Sequence, residues 1–310
     1  MMTVALVATF ATAALWNQWR SVEVETADRA RVQAAWILTG ALDWSRLILR
    51  EDARSGGADH LAEPWAVPLQ EARLSTFLAA DPSNTVENDA DTTFLSGEIV
   101  DMQSLLNARN LVEEGGTLST SGMRSFSRLF ELLGLPQQQL TRMAENLRFA
   151  SDTNAGNLSA GQAPLMPQSL EQLAWVGLPA ETIAALEPYV TILPARTAVN
   201  LNTAPAEVIY AVGIGIGMAD AQRLVAERGR QHFRSVQDAT RLLATPNDPF
   251  ATNAVDFRSR YFEVRGRLRM NDVVIEERSL VQRSGSTVRT VQREHGGFQS
   301  AFGLPAGPPR

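Results

Sequence analysis

Few side chains in this sequence are spaced to do chemistry by themselves. His60, His232 and His295 are the three imidazoles, the groups best suited to proton transfer near neutral pH or to metal ligation. They lie far apart in the sequence, and none sits in a short metal-ligand pattern. Ser119 and Ser121 beside Gly122 do not form the strand-to-helix elbow that exposes a nucleophile. The absence of cysteine excludes disulfides, thiolate metal sites and a cysteine nucleophile. The remaining carboxylates are scattered at surface spacing. No catalytic, cofactor-binding or metal-ligating residue is therefore assigned, and the chain is expected not to be an enzyme.

One glycine-rich stretch is suggestive. Val212-Gly213-Ile214-Gly215-Ile216-Gly217 joins two segments of helical spacing. Asn202 or Thr203 can cap the first, with Pro205 in its opening turn. This resembles a helix-hairpin-helix, whose loop amides can hold a DNA phosphate. Arg223, Arg228, Arg230 and Arg234 follow, but Asp220, Glu227 and Asp238 offset them, and phosphate binding needs a net positive surface. A structural hairpin is favoured over DNA binding. The glycines fit a nucleotide loop only loosely, since no Lys-Ser or Lys-Thr follows.

The 310 residues suffice for one large domain or two to three small ones. With 45% hydrophobic and 20% charged residues, most of the chain should pack into globular structure. All 28 basic residues are arginine, which a GC-rich genome explains better than a chemical demand for guanidinium. A net charge of −6 gives no global reason to expect a nucleic-acid partner.

Met1 to Trp19 carries no charge, and nineteen residues at about 1.5 Å each span about 28 Å, near the thickness of a bilayer's hydrocarbon. Trp16 and Trp19 stand at its far end, where amphipathic rings favour the headgroup layer. A signal peptide cut at Ala11-Thr12-Ala13 would need a basic start that is missing, and a core helix would sit oddly here. A membrane anchor over 1–19 is favoured over both. From Arg20 to Arg54 apolar and charged residues alternate at helical spacing with no proline, so one helix of about 54 residues is expected, stopped by Ser55-Gly56-Gly57.

Strand-like runs follow at Val67–Leu74 and Thr93–Asp101, with an acidic, polar loop over Asp81–Asp91 between them. Helical spacing takes over from Thr120 to about Ala254, in short segments at Arg124–Leu133, Gln137–Phe149, Ser169–Trp175, Ala180–Leu186, Ala206–Val212 and Ala219–Arg228. Ser151–Pro167 is a long loop. Strand alternation returns at Tyr261–Arg269, Asp272–Gln282 and Thr287–Arg293, and 296–310 is a disordered tail. Strands before residue 110 should therefore pair with strands after 257. Arg258, Arg260, Arg265, Arg267 and Arg269 form a basic stripe, which reads as the solvated face of an edge strand rather than a site for an acidic partner.

Four stretches, in this order, resemble the K-type minor pseudopilins of bacterial type II secretion, the general secretion pathway protein K family. They are Asp59-His60-Leu61-Ala62-Glu63-Pro64-Trp65-Ala66; Ser96-Gly97-Glu98-Ile99-Val100-Asp101 leading to Asn107; Pro194 with Val199-Asn200-Leu201-Asn202-Thr203-Ala204-Pro205-Ala206-Glu207-Val208; and the strands from Tyr261. The resemblance implies an α+β, pilin-like fold: a long N-terminal helix on an antiparallel sheet, with a large all-α insertion containing the helix-hairpin-helix-like segment. The expected divisions are an anchor and long helix over 1–55 and a first part of the sheet over 56–112. Inserted helical domains over 113–196 and 197–256 follow, then a second part of the sheet over 257–295.

The resemblance also implies a role: a structural subunit at the tip of the pseudopilus that helps initiate it for export across the outer membrane. The implied place is the inner membrane, crossed once, with the globular part in the periplasm. Its implied partners are minor pseudopilins of the I and J types, with the H type a further candidate, and the inner-membrane secretion platform. The first acid is Glu23, whereas most pseudopilins carry a glutamate near the mature N-terminus for a neighbour's amine. A subunit with nothing above it needs none. The family's basic leader ending in glycine is not matched, so the start is expected to be truncated or misassigned by some residues. The competing classes are a DNA-binding or DNA-uptake protein and a secreted enzyme released from a signal peptide. Family members often hold calcium in an acid-rich stretch of the first helical domain. The corresponding Phe149-Ala150-Ser151-Asp152-Thr153-Asn154 has one carboxylate, and calcium wants several oxygen ligands. No tight calcium site is expected there: micromolar calcium should leave the melting temperature unchanged, and a marked rise would overturn the expectation.

Overall fold

The computed structural model describes residues 2–78, 92–152, 163–243, 248–270 and 273–296. The loop expected at 81–91, most of that at 151–167, the end of the calcium-like stretch and nearly all of the tail lie outside these residues. The first element, α1 (Met2–Ser55), is one unbroken helix of 54 residues. It contains no proline and a single glycine, Gly40. Glu25–Arg29, Asp28–Arg31, Asp43–Arg46 and Glu51–Arg54 pair along its exposed turns, the spacing at which helix side chains meet. Gly56 and Gly57, at φ 68° and 126°, end it in a backbone region that other residues rarely enter. The expected anchor is corrected in one respect. Asn17 and Gln18 interrupt the apolar run before Trp19, and among the described residues no helix is long and apolar enough to cross a membrane.

After α1 come β1 (Leu69–Arg73), the short helix α2 (Leu74–Leu78) and β2 (Thr93–Asp101). A helical body follows: β3 (Leu106–Asn107), α3 (Thr120–Leu132), α4 (Gln137–Ser151), α5 (Ala180–Leu186), β4 (Val190–Thr191), β5 (Val199–Asn200), α6 (Ala206–Val212), α7 (Met218–Arg230), α8 (Val236–Thr240) and β6 (Val255–Asp256). The chain then returns as β7 (Tyr261–Met270), β8 (Val273–Ser284) and β9 (Thr287–His295). The sheet order is β1-β2-β7-β8-β9, all antiparallel, so early and late strands pair as the return of strand alternation implied. Two parallel pairs, β3–β4 and β5–β6, stitch the body, and its buried core runs continuously from Leu106 to Phe257.

β7 lies inside the sheet, which corrects the edge-strand reading of its arginines. Arg265 pairs with Glu98 of β2 and with Glu263, Arg267 with Glu276 of β8, and Arg269 with Glu71 of β1 while lying over the Phe94 ring. An interior strand tolerates alternate arginines when neighbours on both sides supply carboxylates at cross-strand positions.

The opposite sheet face carries α1. Ala34, Leu38, Leu42 and Leu49, spaced at four and seven residues, are buried against Leu95, Phe262, Val264, Leu268 and Val281. Leu38 sits over Gly266, where a Cβ would stand 3.1 Å from Leu38 Cδ2. Truncating any of these leucines to alanine would cost about 2–5 kcal/mol. The packed face begins only at residue 34. From residue 10 to 33 the side chains of α1 are exposed, apart from half-buried Ala30.

Candidate assembly interface

A helix laid on a sheet buries one face, and α1 is packed mainly on β7, β8 and β9. Among the described residues its side toward β1 is open. Trp36 is 73% exposed, Trp44 52% and Leu47 50%, with Val22 and Val32 exposed nearer the N-terminus. Ile37 and Ile48 turn inward and are partly buried on the sheet clusters, while Trp36 and Trp44 face away from them. Between α1 and the β1–β2 side runs an apolar groove of about 1190 Å³, lined by Ile37, Ala41, Trp44, Val67, Leu69 and Leu95 among others. An exposed apolar groove is a candidate site for contact with another molecule.

What holds the helix, the sheet and the helical body in register is a buried polar junction. Asp101 Oδ2 accepts from Thr203 Oγ1 and Ser259 Oγ, each at 2.6 Å, and from Asn200 Nδ2 at 3.0 Å, while Oδ1 takes the Gln103 amide at 2.8 Å. Asp59 lies alongside: its carboxylate receives both the Ser259 amide and Arg283 Nη2, and its carbonyl accepts from Asn200. Arg283 reaches on to Asp52 at the end of α1 with Nη1, 2.6 Å from Oδ2. Burial pushes the Asp101 carboxyl up to about 6, against the hydrogen bonds from Ser259 and Thr203. It also pushes up the carboxyls of Asp59 and Asp52, against the pull of Arg283. Asp52, Asp59 and Glu63 bring carboxylate oxygens within 4.8 Å of one another, and the Arg283 guanidinium supplies the positive charge between Asp52 and Asp59.

The histidines are not all apart, as their sequence positions suggested. His60 and His232 stack, ring centroids 3.9 Å apart and 12° from parallel, joining the linker after α1 to the loop after α7. Burial lowers both imidazoles from their ordinary value, and for His232 the neighbouring His60 adds to it. No local spacing announced this pair. His295 meets Glu277 instead. Ser119 caps α3 by accepting from the Gly122 amide, with Ser121 Oγ at 3.2 Å. In the glycine-rich hairpin, Arg228 turns inward and donates to the carbonyls of Leu201 and Ala204. Arg223 and Arg230 pair with Asp220 and Glu227.

Two family models described as "Type II secretion system (T2SS), protein K" match the chain, one over residues 104–195 and one over 199–258. The type II secretion system protein K of Pseudomonas aeruginosa is 26% identical over 297 residues, covering 86% of this chain and 79% of that protein. Its counterpart in Pectobacterium carotovorum subsp. carotovorum is 24% identical over 300 residues, covering 87% and 86%. Among solved structures, a chain of the GspK–GspI–GspJ complex from the type 2 secretion system of enterotoxigenic Escherichia coli shares the fold. Its TM-score is 0.59 at 17% identity, over 87% of this chain and 98% of that one.

The junction carries two predictions. Arg283→Met strands Asp59 and Asp52 without their cation and should destabilise the chain by about 3–5 kcal/mol, read by urea unfolding; adding Asp59→Asn should recover part of the loss. The second concerns pH. His60 and His232 titrate below their unfolded value of 6.5, so the stability tied to their neutral forms is complete above that pH and is lost as pH falls through the lower folded values. Asp101, raised from 3.8 to about 6, works the other way: the folded chain holds its proton more tightly, so its penalty grows as pH rises across that interval. His232→Phe keeps a ring on His60 and removes one titration. Its melting temperature should fall less than the parent's between pH 7.5 and 5, and an equal fall would mean that the stack does not titrate in this range.

Proposed function

We propose, from the premise that this chain belongs to the type II secretion system protein K family, that it is a structural minor pseudopilin at the tip of the pseudopilus. It assembles there with pseudopilins of the I and J types to start the filament that drives export across the outer membrane. The observation that carries this is α1: one face is packed on its own sheet, while Trp36, Trp44 and Leu47 stand in water beside an apolar groove. A secretion subunit with such a surface works by association, its binding energy coming from covering that surface. The structural relative is itself one chain of a GspK–GspI–GspJ complex, so its own partners there are the I- and J-type proteins. The bulk of the helical body at the end of the sheet supports a terminal position, since it would obstruct a subunit stacking above.

On the same reading the N-terminal end of α1 lies in the inner membrane and the globular part in the periplasm. Its support is the exposed apolar and aromatic character of Phe10, Leu15, Trp16 and Trp19, with the two indoles 5.5 Å apart as an interfacial pair. Among the described residues no helix is long and apolar enough to cross a membrane, and the exposed end of α1 supports the reading.

Trp36→Asp tests the assembly reading. The side chain is mostly exposed, so the melting temperature should stay within a degree or two. A carboxylate buried at a partner interface, in contrast, should weaken association by several kcal/mol, a loss of two or more orders of magnitude in affinity. A pull-down of I- and J-type pseudopilins run beside thermal melting reads both. Joint loss of folding and binding would make the stripe ordinary core, and unchanged binding would move the docking surface to the helical body.

A further inference from the structure

One residue of the exposed stripe is unexplained by the chain's own packing. Gly40 stands inside a helix of 54 residues, where glycine is the poorest choice after proline. Crowding explains other glycines of this fold. A Cβ at Gly97 would lie 2.8 Å from the Arg265 carbonyl oxygen, at Gly122 2.1 Å from that of Asn110, and at Gly266 3.1 Å from Leu38. A Cβ at Gly40 would meet nothing within 4 Å, and its backbone is ordinary right-handed helix. Nothing among the described residues calls for the missing side chain.

Outside, the surroundings are specific. Trp36 and Trp44 lie one turn to either side on the same face, both exposed, and all three residues line the apolar groove. Eight residues of helix rise about 12 Å, so the two indoles stand at the ends of a notch about as wide as an α-helix, whose diameter with side chains is about 10–12 Å. Bare backbone at the floor of such a notch lets two helices approach more closely than side chains otherwise permit. A lipid is the wrong occupant. Leu38 and Leu42, flanking Gly40, are packed on the sheet, which sets the notch level with the globular part and about 30 Å along the helix from Trp19.

We infer that Gly40 is the crossing point for an α-helix of a neighbouring pseudopilin, its backbone laid against α1 between the rings of Trp36 and Trp44. This rests on the assembly reading above and adds the point of contact and the reason for the glycine. The test uses the full chain in detergent with I- and J-type pseudopilins of the same bacterium, comparing the parent with Gly40→Ala and Gly40→Leu. Alanine is the better helix former, so Gly40→Ala should raise the melting temperature by about 1–3 °C. The same substitution should weaken partner binding several-fold, and Gly40→Leu should weaken it about tenfold or more. Stability and affinity moving in opposite directions is the expected signature. Unchanged affinity in both variants, while Trp36→Asp still abolishes binding, would overturn the crossing point and leave the assembly reading standing. A lower melting temperature for Gly40→Ala would give the glycine an internal role and overturn the inference. A parent chain that binds neither partner would overturn both.

Discussion

A carboxylate taken out of water must be met by donors or by a cation, and this fold is tied together by two such groups. Asp101 is satisfied by the Gln103 amide, Asn200, Thr203 and Ser259, and Asp59 by Arg283 and the Ser259 amide. These groups come from the linker after α1, the end of β2, the turn after β5, the approach to β7 and the end of β8. The network closes only when all five segments are in place, so strand order, the seat of the helical body and the angle at which α1 leaves the sheet depend on one set of contacts. Any of those segments displaced by a residue would leave a buried charge unpaired, at a cost comparable to a large part of a domain's net stability.

With that junction holding the frame, α1 has no freedom to cover the whole sheet. It lies over β7, β8 and β9, where Gly266 allows close approach, and among the described residues the β1 side stays open. The exposed indoles and the groove are thus a consequence of where the helix is pinned. An apolar surface created in this way costs solubility in a lone chain and stabilises any assembly that covers it.

The four stretches that carried the family resemblance supply most of the junction. Asp59, Asp101, Asn200 and Thr203 all belong to them, and Asn107 and Asn202 serve similarly inside the helical body, where Asn107 bonds the Ala195 carbonyl and Asn202 bonds Phe233. These residues read as polar motifs without catalytic spacing because their work is architectural: each satisfies backbone or carboxylate groups that folding would otherwise bury unpaired.

Much was legible in the sequence because it is local. The extent of α1, its stop at the two glycines, the short helices and the late strands follow from periodicity and backbone preference, which act over a few residues. What the sequence left undecided depends on partners far away along the chain. The arginines of β7 could be assigned to an edge or an interior strand only once β2 and β8 had taken their places beside it, since strand alternation says which residues share a face and nothing about the neighbours. His60 and His232 meet because the junction folds the linker against the loop after α7. Helical spacing placed apolar residues along the second half of α1; the tertiary structure decided which of them stay in water, because only the packed sheet determines which side of the helix it covers.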